Sequence, residues 1–121
     1  MTIDQKYIDK FLKVTSRAAL ASFHLVGKKD KIAADKAAVD SMRAELNKLD
    51  INGQIVIGEG ELDEAPMLYI GEKIGTKNGP NIDIAVDPLE GTNFAAFNLP
   101  GALSVIAIAE KNNLFKAPET Y

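Results

Sequence analysis

No cysteine occurs among the 121 residues, which excludes disulfides, thiolate metal sites and a cysteine nucleophile. Histidine is nearly absent: His24 stands alone, so a zinc site built on several histidines is impossible within this chain. There is no basic excess, with 14 Lys and Arg against 17 Asp and Glu for a formal net charge of −3, and no long basic run. That argues against nucleic acid as the main partner. A phosphate-bearing ligand would have to be met by metal ions and local donors. No apolar stretch is long enough to span a bilayer, so no membrane partner is expected. The first residues, Met1-Thr2-Ile3-Asp4-Gln5, lack the charged and apolar regions of a signal peptide, and a cytoplasmic location is the expectation. What is present is 46% hydrophobic and 26% charged, the balance of one globular domain with a modest core.

Two helical patterns lead the chain. The first is predicted over Thr2 to Val26. Thr2 and Gln5 have capping-box spacing, and Ile3, Tyr7, Phe11, Val14, Ala18, Ala21 and Leu25 recur at intervals of three and four. Gly27 is a candidate C-cap. The small residues Ala18, Ala19, Ala21 and Ser22 predict close packing against a neighbour, and the alanine-rich helices point to self-association into a homo-oligomer. His24, near the end of this helix, reads as a surface or interface side chain rather than a ligand. After a polar connector, a second helix is predicted from Ala33 to Leu49, with Val39, Met42, Leu46 and Leu49 as its buried stripe. Asp30 and Asp35 lie near its start, where spacing alone assigns them to capping or to the helix dipole.

Beyond the turn at Asp50-Ile51-Asn52-Gly53, residues Gln54 to Ile57 read as a short strand. It runs into Gly58-Glu59-Gly60-Glu61-Leu62-Asp63-Glu64-Ala65-Pro66, where acidic side chains crowd together between glycines. Such a segment is either a solvated acidic loop or one folded tightly so that its carboxylates aim inward. Met67-Leu68-Tyr69-Ile70 reads as a helical turn or a strand, and 71–81, rich in glycine, as a loop. A second strand, Asp83 to Val86, ends at Asp87-Pro88-Leu89-Glu90-Gly91-Thr92-Asn93, with Pro88 fixing a turn between two carboxylates and Asn93 to Phe97 starting a helix. Asp-Pro and Glu-Gly are also ordinary turn residues. Two strands that each end in acidic side chains, if adjacent, bring both loops to one sheet edge, where α/β folds place ligands. Hard cations such as Mg²⁺ prefer such oxygens, with phosphate completing the shell. Residues 102–109 read as a buried strand, 111–113 as a hairpin turn, and 114–118 as the start of a partner strand.

At the acidic loop, continued by Met67, and at Asp87-Pro88-Leu89-Glu90-Gly91-Thr92, the chain resembles the class II, GlpX-type fructose-1,6-bisphosphatases of bacteria. The likeness extends over essentially the whole sequence, including Lys13-Val14-Thr15, Ala18 to Ala21, Gly27 to Asp35, and Ala117-Pro118-Glu119-Thr120-Tyr121. The Asp-Pro-Leu-Glu-Gly-Thr element is shared with the wider superfamily of lithium-sensitive, metal-dependent sugar and inositol phosphatases. The acidic loop followed by Ala65-Pro66-Met67-Leu68-Tyr69-Ile70-Gly71-Glu72 is particular to the GlpX type.

The resemblance implies an α/β (α+β) fold, layered α-β-α-β-α, of which residues 1–121 would be the N-terminal, metal-binding half: two long helices packed on a mixed sheet. It implies Mg²⁺ or Mn²⁺ held by Asp35, Glu59, Asp87 and Glu90, which reverses the capping assignment of Asp35. Glu90, Gly91, Thr92 and Tyr121 would contact substrate. Thr92 would orient the attacking water and Asp63 would assist as a nearby acid; Glu61 receives no role. The implied reaction is hydrolysis of the 1-phosphate of fructose 1,6-bisphosphate in gluconeogenesis, with sedoheptulose 1,7-bisphosphate and inositol phosphates as rival substrates. The sequence departs from the family in length, so a missing C-terminal half, or a non-catalytic role awaiting a second chain, is also expected.

Overall fold

The computed structural model describes residues 3–60 and 67–118. In chain order the elements are α1 (Lys6–Phe23), α2 (Lys31–Asn47), β1 (Asn52–Ile57), β2 (Lys73–Ile74), β3 (Asn81–Glu90), α3 (Thr92–Ala96) and β4 (Leu103–Glu110). The strands form one sheet in the order β2-β1-β3-β4. β1 and β3 run parallel, while β2 and β4 pair antiparallel at the two edges. The expected pair of long helices on a mixed sheet is therefore present, with α1 packed on α2 and both against β3.

The apolar face of α1 buries Tyr7, Phe11, Val14, Ala18 and Ser22. α2 answers with Ala34, Ala38, Val39, Met42 and Leu46. Alanines at facing positions let the two helices approach closely. Ile55, Ile82 and Ile84 complete the core from the sheet, essentially without solvent contact. Each such side chain contributes roughly 1.5–3 kcal/mol of burial free energy, before the entropy of ordering it is counted. The Tyr7 hydroxyl donates to the Asp50 carbonyl at 3.0 Å, fastening α1 to the turn ahead of β1. Asp30 is the N-cap of α2: its Oδ1 accepts from the Ala33 amide at 3.0 Å.

Several local expectations need correction. α1 is shorter than Thr2–Val26, and Gln5 makes no side-chain cap bond; the turn at 24–27 instead continues into the connector. There Gly27 and Lys29 donate to the Ala95 and Ala96 carbonyls at 3.0 and 2.9 Å, tying the connector to α3. Residues 67–70 are neither helix nor strand. Within the expected loop lies β2, too short for a periodic signal, and the loop's last residue already opens β3.

The strand carrying Asp87 does not stop there. β3 continues to Glu90 through a register irregularity between Asp87 and Glu90. Pro88, fully buried, sits within that irregularity, a place in a sheet where the missing proline N–H is tolerated. β4, expected as a buried strand, is an edge strand: Leu103 and Val105 remain 56% and 43% exposed. Residues 114–118 form no strand; the turn before them, with Asn112 at φ +68°, sends the Asn112 amide to Asp83 Oδ2 at 2.7 Å. His24 is exposed, as expected. Among the described residues, no helix is long and apolar enough to cross a membrane.

Candidate functional site

A cleft of about 590 Å³ opens at the carboxyl ends of β1 and β3. Its lining includes Asp35, Glu59, Asp87, Glu90, Gly91 and Thr92. These residues come from three separate parts of the chain. Asp35 lies in the second turn of α2, Glu59 follows β1, Asp87 and Glu90 are on the last stretch of β3, and Thr92 opens α3. The parallel pairing of β1 and β3 is what brings the two acidic strand ends together.

The surroundings oppose the charged form of these acids. Burial pushes the Glu59 carboxyl up to about 8, helped by the negative charges of Asp35 and Asp87 and by a hydrogen bond with the Asp35 carboxyl. Burial also raises Asp35, against which the contact with Glu59 works in the opposite direction. Asp87 is raised by burial, then by the charges of Glu90 and Asp35; the Leu89 backbone partly offsets this. Two carboxyls can hydrogen-bond only through a shared proton, so when both are ionised the pair is purely repulsive. Glu59 Oε2 is buried with no hydrogen-bond partner among the described residues.

This donor set fits a hard divalent cation. The oxygens are carboxylate oxygens, and one of them is buried with no hydrogen-bond partner among the described residues. As they stand, no three acidic side chains among the described residues converge tightly enough to form a finished coordination shell.

Gly91 has φ +80°, a left-handed conformation that suits glycine. A Cβ there would lie 2.8 Å from Phe94 Cδ2. The turn places Thr92, half-buried, in the cleft beside Glu90. Asp63 and Tyr121 lie outside the described residues. Lys31 and Met67 also line the cleft, although neither is a candidate site residue by sequence. By sequence Lys31 falls in the polar connector, 27–31, between the two helical patterns. Its i, i+4 relation to Asp35 on α2 was the available signal.

The family model for the bacterial, glpX-encoded fructose-1,6-bisphosphatase matches residues 5–121. A protein from Synechococcus sp. (strain CC9605), named D-fructose 1,6-bisphosphatase class 2/sedoheptulose 1,7-bisphosphatase, is 52% identical over 119 residues, covering 98% of this chain and 36% of that protein. A protein of the same name from Prochlorococcus marinus (strain MIT 9303) is 50% identical with the same coverage. The chain thus spans about a third of the length of these curated relatives. Among solved structures, an extragenic suppressor from Pyrococcus furiosus superimposes with a TM-score of 0.58 at 16% identity, over 88% of this chain and 41% of that one, a likeness of fold alone. Sequence identity along nearly the whole chain, together with the family match, establishes that it belongs to the glpX-encoded bacterial fructose-1,6-bisphosphatase family.

Proposed function

We propose that this chain forms the metal-binding and phosphoryl-positioning part of a phosphoric monoester hydrolase that converts fructose 1,6-bisphosphate to fructose 6-phosphate and phosphate. The observation that carries this reading is the shared cleft: Asp35, Glu59, Asp87 and Glu90 line one cavity together with Thr92. Those four carboxylates would hold Mg²⁺ or Mn²⁺. Bound there, such ions would supply charge neutralisation at phosphate and would lower the pKa of a bound water.

The chain's own groups do the rest. The Thr92 hydroxyl accepts a hydrogen bond from the attacking water and aims it at phosphorus, opposite the departing sugar oxygen. The Gly91 and Thr92 amides donate to phosphoryl oxygens, favouring the charge distribution of the transition state. Lys31 adds a positive side chain to the same cleft. Water's oxygen bonds to phosphorus as the bond to the C1 oxygen breaks, and the proton that water gives up balances the one the departing alkoxide takes. Asp63 as a nearby acid and Tyr121 as a sugar contact remain part of the proposal on the resemblance.

The relatives' names pair the fructose and sedoheptulose activities, which makes sedoheptulose 1,7-bisphosphate the second substrate to test. The chain's share of its relatives' length favours activity only with the remaining family sequence supplied. The test is phosphate release from each bisphosphate with Mn²⁺, by the chain alone and mixed with a polypeptide carrying that remainder. Release by the mixture is expected; none from either sugar would defeat the proposal.

A further inference from the structure

Asp35 and Glu59 stand side by side in the cleft, and once both ionise to hold a cation their like charges drive them apart. Something rigid has to hold the backbone of Glu59 against α2. The structure shows one direct route. Arg43, two turns beyond Asp35 on the same helix, forks onto Glu72, with Nε to Oε2 at 2.8 Å and Nη2 to Oε1 at 3.1 Å. The same Nη2 donates to the Met67 carbonyl. Both partners belong to 67–72, and Met67 itself lines the cleft. Glu72 Oε1 also accepts from the Tyr69 amide at 3.3 Å.

Segment 67–72 is in turn laced to the backbone around Glu59. The Glu59 amide donates to the Leu68 carbonyl and the Ile70 amide to the Gly60 carbonyl, both at 2.9 Å. Gly58 passes so close that an added Cβ would lie 2.4 Å from the Leu68 carbonyl oxygen. The Glu72 side chain is only 10% exposed and that of Arg43 28%, so the fork is largely shielded from solvent. A planar, bidentate guanidinium pair of this kind fixes direction as well as distance, which a lysine cannot do.

We propose that Arg43 is a positioning residue for divalent-cation binding: it clamps 67–72 to α2, and through the Glu59–Leu68 and Ile70–Gly60 bonds it sets Glu59 against Asp35. The inference rests on the metal reading above. α2 then acts twice, presenting Asp35 directly and holding Glu59 through Arg43. Outer partners of metal ligands commonly change affinity ten- to a hundredfold.

The test uses the 121-residue chain and three variants, Arg43→Met, Arg43→Lys and Glu72→Gln. Mn²⁺ affinity is read by electron paramagnetic resonance. Amide exchange at Glu59, Ile70 and, as a core reference, Ile84 is read on metal-free protein. The expectation is Mn²⁺ binding weakened about tenfold or more in both Arg43 variants, lysine giving no rescue. Glu59 and Ile70 amides should exchange faster while Ile84 does not. Glu72→Gln, which keeps the shape and removes the charge, should fall between, and it decides the matter should an Arg43 variant not fold. Unchanged Mn²⁺ affinity, full rescue by lysine, or unchanged exchange at Glu59 and Ile70 would overturn the proposal. Failure of the unaltered chain to bind Mn²⁺ would instead sink the metal reading, and the exchange data would then decide the clamp alone.

Discussion

Ile57 of β1 and Ala85 of β3 are register partners in the parallel pair, and each is followed two residues later by a carboxylate, Glu59 and Asp87. Neighbouring strands lie about 4.8 Å apart, so this register delivers two acids to one end of the sheet. Both line the same cleft.

Divalent ions should stabilise the fold. Binding to the native state alone adds about 2.7 kcal/mol at a hundredfold excess over Kd. Mn²⁺ or Mg²⁺ is therefore expected to raise the midpoint of thermal unfolding of the unaltered chain. Glu59→Gln and Asp87→Asn should abolish most of that rise. Calorimetric scans with and without metal check it, and an undiminished rise in both variants would contradict the ligand assignment.

The metal-free chain should lose stability as pH rises. Glu59 holds its proton up to about 8 in the folded state, against an ordinary value of 4.5 when unfolded. Between those values the folded state binds the extra proton, so the stability difference is fully present below the lower value and is lost as pH climbs through the upper one. Asp35 and Asp87 are displaced in the same direction. Urea midpoints measured across this range should fall with pH, and Glu59→Gln should flatten the trend. Cation affinity should move the opposite way, tightening as the proton leaves.

Thr92→Ala should cost turnover rather than cation binding. Positioned proton acceptors and orienting groups contribute on the order of a hundredfold or more to rate. The expected result, in the mixture that releases phosphate, is a loss of that size with Mn²⁺ affinity nearly unchanged. Equal turnover would remove Thr92 from the chemistry.

Gly58→Ala should destabilise the chain by about 1–3 kcal/mol, the usual cost of forcing atoms into a packed site. Its Cβ would meet the Leu68 carbonyl oxygen at 2.4 Å and Ile55 Cγ2 at 2.8 Å. Because the displaced carbonyl is the acceptor for the Glu59 amide, Mn²⁺ binding should weaken as well. Denaturant midpoints and a metal titration on the same variant read both effects.

The long-range pairing explains which features were legible in advance. Helices α1 and α2 were readable because their apolar spacing is local: Tyr7, Phe11 and Val14, or Val39, Met42 and Leu46, repeat with the turn of the helix. β2 was not, since two residues carry no period. Pro88 suggested a turn because a proline normally interrupts a sheet; only the irregularity between β3 and β4 lets it stay inside one. β4 suggested burial from its composition, yet its position at the sheet edge leaves alternate side chains open. Asp35 was opaque to spacing, since a helix-start aspartate has ordinary local roles, and Lys31 falls by sequence in a polar connector although α2 begins there.

By itself the sequence determined the available chemistry. With no cysteine and one histidine, and with acids gathered at the ends of apolar strands, hard-cation and phosphate chemistry was what its side chains could support. Tertiary structure decided which acids meet. The parallel register of β1 on β3, and the packing of α2 that carries Asp35 over them, are contacts between distant segments. Local spacing carries no information about those contacts, because they form only when separate apolar faces find a common core.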